Sequence, residues 1–181
     1  MNDELEILSF YRASELAGAV LCGRLALHTD VEELRGPLTE QCAEEAEHAW
    51  LITELIGELG YVPLKVSETF QSEMAREFGM PTTALEILAL TQVLENRVLD
   101  HYRKHASMEG VHPRISERLG DMVRDAEAHV TWVEREVSRL RTVYGDVAVD
   151  EVLARARAAD ERAYRRFTRE RTYLNYFGPS L

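Results

Sequence analysis

The chain of 181 residues is predicted to be all-α: a four-helix bundle with a long crossover after the second helix and an extra C-terminal helix. Two observations carry that expectation. Apolar residues recur at steps of three and four nearly throughout, which is the period of a helix with one buried face. The five prolines and ten glycines cluster at a few points, the punctuation of a few long elements rather than many short strands.

The elements follow in order. A first helix is expected from about Asp3 to His28. The loop "HTDVEELRGPLT" follows, with Gly36-Pro37 as a break, so the second helix is expected to start near Pro37 or Leu38 and to stop at Gly60. A connector of about twenty residues then holds a short helix, "SETFQSEMAREFG", which opens on a capping pattern and closes on Gly79. The third long helix runs from about Thr82 to Ala106. After the short loop "SMEGVHP", the fourth runs antiparallel to it from about Pro113 to Tyr144. A fifth spans about Ala148 to Tyr173. Loops that are short, long and short between long helices define a bundle with one crossover. The whole is expected to be one domain, with its core over about 3–144 and the C-terminal helix over about 148–173.

Composition narrows the function. Hydrophobic residues make up 45%, enough for a sizeable core. No apolar run is long enough for a membrane span, and "MNDELEIL" lacks a signal-peptide n-region, so a soluble cytoplasmic protein is expected. Cys22 and Cys42 are too few for a disulfide framework and are read as small hydrophobes in a reducing compartment. A net charge of −11 argues against a nucleic-acid partner. The basic exception, "RARAADERAYRRFTRER", is expected to be a solvated helix face with intrahelical ion pairs, the alternative being a dimer or anion-binding surface.

The inward stripes contain charges. They read Leu8, Tyr11, Glu15, Gly18, Cys22, Leu25 on the first helix and Leu38, Cys42, Glu45, His48, Ala49, Ile52 on the second. The third has Leu88, Thr91, Glu95, Val98, Tyr102, and the fourth has Leu119, Met122, Ala126, His129, Val133. A Glu or His facing a core is costly unless it is paired or metal-bound. Here every stripe has one near its middle. Glu15 and Glu95 are 80 residues apart, and His48 and His129 are 81 apart, so the chain reads as two related helix hairpins. "AEEAEHAW" in the first aligns with "RDAEAHVTW" in the second, where Ala126 replaces the counterpart of Glu45. His101 and His105 lie off the Glu95 stripe and are read as surface residues. His28 and His112 sit near helix ends and carry no signal. Trp50 and Trp132 are read as helix-face or interface packing.

This pattern resembles the ferritin-like di-iron carboxylate proteins, including their rubrerythrin-like and bundle-oxygenase branches, over about Asp3 to Tyr144. In that superfamily two helices give one Glu each and two give Glu-x-x-His. The resemblance implies that Glu15 and Glu95 are the single carboxylates, that Glu45 and His48 form the intact pair with Glu45 bridging, and that His129 survives from the second pair. The second bridging Glu is replaced by Ala126. Asp125 would orient His48 and Glu44 would orient His129, as carboxylates commonly do for metal-bound imidazoles. Alternatively Asp125 substitutes as a ligand, or both acids face solvent. Tyr11, Tyr102 and Ala126 are candidates for lining a substrate pocket, against plain core packing for the tyrosines.

Three states of the site are open: two metals, one metal at Glu15, Glu45 and His48, or none. Iron is the expected cofactor, two ions or one, with manganese as a substitute. The resemblance implies an oxidase or oxygenase that acts on a small molecule with O2. The alternatives are a single-metal or metal-free protein that binds a ligand or partner, and, more distantly, an RNA-modifying hydroxylase, which the charge of −11 counts against. A homodimer is among the expected assemblies.

Overall fold

The computed structural model describes residues Asn2–Arg169. Among them are six helices and no strand: α1 (Asn2–His28), α2 (Glu32–Glu58), α3 (Phe70–Phe78), α4 (Ala84–Ala106), α5 (Pro113–Tyr144) and α6 (Asp146–Arg169). The order is a hairpin, a long connector carrying the short α3, a second hairpin and an additional C-terminal helix. The predicted end of the last helix, near Tyr173, lies outside the described residues.

Local chemistry explains most boundaries. α2 is stopped by Gly60, two residues past its last helical residue, whose φ of 85° suits a residue without a Cβ. Behind it the Tyr61 N–H donates to the Ile56 carbonyl at 3.0 Å, closing the end as a Schellman turn. Thr83 caps α4: its side chain accepts from the Glu86 N–H at 3.2 Å, while the Glu86 carboxylate accepts from the Thr82 N–H at 2.9 Å. His112 caps α5 in the same manner, its Nδ1 accepting from the Arg114 N–H at 3.2 Å, with Pro113 at the first helical position.

α2 starts earlier than expected. It begins at Glu32 and carries Pro37 inside it. Three features make this tolerable. Gly36 has no Cβ to clash with the proline ring, a clash that otherwise bars the residue before proline from helix. Glu32 and Glu33 put negative charge at the positive end of the helix dipole. Leu34 and Leu38, one turn apart and both buried, extend the apolar stripe back past the proline.

The described residues form two compact units, one holding those up to Glu73 and those from Arg166, the other Met74–Arg165. In the first, α1 and α2 pack antiparallel. Arg12 Nε donates to Thr53 Oγ1 at 2.8 Å, and the connector is tied back where the Leu64 N–H donates to Ser9 Oγ at 3.0 Å. Phe167 is buried in this unit, with ring centroids 5.2 Å from Phe10 and 6.1 Å from Phe70. Arg166 reaches the buried Glu73 at 3.4 Å.

In the second unit α4 and α5 form the other hairpin, pinned near its loop by Ser116 Oγ donating to the Ala106 carbonyl at 2.7 Å. α6 buries Val149, Leu153, Ala156, Ala159 and Ala163, a stripe at helical spacing whose alanines allow close approach. The arginines of α6 correct the sequence reading. Within the second unit they pair mainly with acids on other helices: Arg155 with Glu86, and Arg162 with Glu77 at 2.8 Å. Arg165 with Glu161 at 3.5 Å is the intrahelical kind that was expected. Periodicity shows which residues share a face, but not that a neighbouring helix offers acids to it.

His101 and His105 are a second correction, since both are buried. His101 lies off the Glu95 stripe because it serves a different contact. His101 Nε2 lies 3.3 Å from the Tyr164 hydroxyl of α6. Arg97, one turn earlier, pairs with Asp160 and stacks its guanidinium 4.0 Å from the centroid of the Tyr164 ring.

Burial holds His101 and His105 neutral, pushing each pKa down to about 4, and for His101 the positive Arg97 adds to the effect. Both folded values are depressed. The unfolded chain therefore takes up these protons first as pH falls, and stability present above about pH 6.5 is lost toward pH 4. Thermal melts across that window should show a falling Tm, and the slope should flatten in His101→Gln and His105→Gln variants. Glu86, held down to about 2 chiefly by its hydrogen bond from Arg155 and then by the Thr82 N–H, extends the same trend to lower pH.

Candidate metal centre

The first hairpin brings two of its expected ligands together. Glu15 on α1 is buried, as is His48 on α2, and Glu15 Oε2 lies 3.3 Å from His48 Nδ1. One turn along, Glu45 lays its carboxylate against the α1 backbone at Gly18: a Cβ built on that glycine would sit 2.5 Å from Glu45 Oε2. The sequence placed Gly18 on the inward stripe but attached no role to it.

The second hairpin repeats the arrangement with one member missing. Glu95 on α4 is buried, and its Oε2 lies 3.6 Å from Nδ1 of the half-buried His129 on α5. Ala126, one turn before His129, is buried and offers no donor atom. Asp125 and Glu127 flank it on the exposed side, and Glu127 pairs with Arg103. Glu44, the counterpart of Asp125 in the first hairpin, is half-buried. Tyr11 and Tyr102 are both buried within their own units. Trp50 is exposed on its helix face.

The donor sets fit a transition ion. Ligand atoms about 2.0–2.2 Å from one metal, at angles of about 90–120°, lie roughly 3.0–3.7 Å apart. Both Glu–His pairs fall in that range. At 3.6 Å the second pair is too long for a good hydrogen bond, yet it suits two ligands of one ion. In both hairpins the same ring nitrogen, Nδ1, faces the carboxylate, which leaves Nε2 to be oriented by other groups. A mix of carboxylate and imidazole suits iron or manganese better than a soft thiophilic ion.

A family model described as a ferritin-like domain matches residues 20–143. The chain belongs to the ferritin-like family. The matched span covers Glu45, His48, Glu95 and His129, and Glu15 lies just before it. Among curated proteins and solved structures, nothing matches this ferritin-like chain. No helix among its described residues is long and apolar enough to cross a membrane.

Proposed function

We propose that this ferritin-like chain is a metal-dependent oxidase or oxygenase of a small molecule, with Glu15, Glu45, His48, Glu95 and His129 as its metal ligands. The observation that supports it best is the repeated pair: a buried carboxylate and a histidine Nδ1 at 3.3 Å in one hairpin and 3.6 Å in the other. Burying glutamates costs several kcal/mol unless a cation or proton donor compensates them. A chain that repeats this arrangement in two hairpins has a use for the charge.

Iron bound there would supply electrons for reducing O2. The chain's residues supply the rest: Glu15 and Glu95 offer carboxylate oxygens from α1 and α4, and His48 and His129 offer neutral nitrogens from α2 and α5. Glu45 adds negative charge to the first half, while Ala126 leaves the second half with one carboxylate fewer. A second reading, one metal at Glu15, Glu45 and His48, is favoured by that asymmetry.

Anaerobic loading with Fe(II), followed by desalting and elemental analysis, tests both. About two irons per chain support the oxygenase reading in its full form, and about one supports the single-metal form. No retained iron or manganese would overturn the metal-dependent function. Oxygen consumption by the loaded protein then separates an oxidase or oxygenase from a metal-bearing binding protein.

A further inference from the structure

The seat of Glu45 explains why position 126 lacks a carboxylate. Gly18 stands three residues after Glu15, and Glu45 stands three before His48. In the second hairpin the same steps from Glu95 and His129 lead to Val98 and Ala126. The Glu–His pairs fix the two registers as equivalent, so Val98 is level with Ala126 as Gly18 is level with Glu45. The first hairpin carries glycine opposite glutamate, and the second carries valine opposite alanine.

A glycine within a helix is disfavoured relative to alanine, so Gly18 needs a reason. The geometry supplies one. A Cβ at Gly18 would lie 2.5 Å from Glu45 Oε2, closer than such atoms approach, and a tight 3.0 Å from its Cδ, so the carboxylate end of that side chain would have to move. Gly23, one turn and a half further along α1, is a useful contrast: its Cβ would meet Cys42 Sγ at 3.2 Å, a contact that a small shift relieves.

We propose that Gly18 is a positioning residue for the Glu45 carboxylate, and that Val98 closes the equivalent seat in the second hairpin. Ala126 is then half of a coupled pair rather than a lone substitution. The second half-site is shaped to do without a carboxylate at that level, and restoring one requires removing the Val98 side chain as well. For its metal-binding consequence the proposal rests on the function argued above; for its steric content it does not.

Two double-variant cycles on the full chain test it. In metal-free protein, Gly18→Ala is expected to raise Tm by less than helix propensity alone would give, because the new methyl group displaces the Glu45 carboxylate. In the Glu45→Ala background, or Glu45→Ser should that chain not fold, the same change should raise Tm by about 2–4 °C through helix propensity alone. In the second cycle, Val98→Gly should cost less Tm in the Ala126→Glu background than in the parent chain.

Co(II) titration, read by its visible absorption, supplies the functional arm. Gly18→Ala should weaken binding at least tenfold, and Glu45→Asp, shorter by one methylene, should recover part of the loss. Ala126→Glu alone should leave the bound metal per chain unchanged, and Val98→Gly with Ala126→Glu should raise it. An equal rise in Tm from Gly18→Ala in both backgrounds would overturn the seat. A full gain of metal from Ala126→Glu alone would overturn the role of Val98. If no variant and no parent chain binds Co(II), the metal function fails, while the melts still decide the steric proposal.

Discussion

His48→Ala is expected to reduce metal binding by a hundredfold or more, beyond the roughly 10–100-fold typical of groups that only orient a ligand. The reason is the makeup of the first hairpin. Of the three ligands proposed for it, His48 is the only one with a nitrogen donor. Its removal leaves only the carboxylates Glu15 and Glu45 in that proposed set. His129→Ala should have a smaller effect on total affinity, because the second hairpin starts with one carboxylate fewer. Isothermal titration with Mn(II) of the two variants beside the parent chain measures this. Equal losses from both substitutions would show that the two halves contribute alike and that Ala126 does not weaken its side. Binding should also release protons and strengthen as pH rises through the histidine range, since a ligating imidazole must be neutral.

The largest expected effect on stability is at the Arg97–Asp160 pair. Both side chains are largely buried, at 13% and 11% exposure, and they are joined by two hydrogen bonds, one of 3.1 Å from Arg97 Nε. Breaking such a pair strands a charge away from water. Asp160→Ala is expected to cost about 3 kcal/mol, and so to lower Tm by about 6–12 °C. Arg97→Met with Asp160→Leu should restore much of that loss, because neither charge then remains to be desolvated. A Tm for Asp160→Ala within a degree of the parent would mean that the pair is solvated and contributes little to holding α6 against α4.

Periodicity carried much of the fold. The apolar stripes placed α1, α4 and α5 to within two residues at either end, and Gly60 and Gly79 marked real stops, each with φ near 85°. The failure at the start of α2 has a clear cause. Gly-Pro is a breaker in most contexts, and whether Leu34 and Leu38 find a core to bury in is a tertiary matter. The Glu–His pairs were legible for a similar reason. Charges in the middle of an apolar stripe violate the binary pattern, and such violations concentrate at functional sites. His101 and His105 broke no pattern that a single helix could reveal. His101 meets Tyr164 of α6, 63 residues later in the chain, a contact no single helix could announce.

What the sequence determined by itself was the helical class, the duplicated hairpin and the identity of the residues that break its apolar stripes, because these depend only on spacing along one chain. Tertiary structure alone decided which nitrogen faces which carboxylate, that α6 uses its arginines between helices, and that a missing Cβ at Gly18 makes room for Glu45. Those are distances between atoms far apart in sequence, and steric exclusion acts on distances. The alanine at 126 was visible from the start as a gap in a pattern. Only the packing of the first hairpin shows what a glutamate at that level needs across from it, and valine occupies that place in the second.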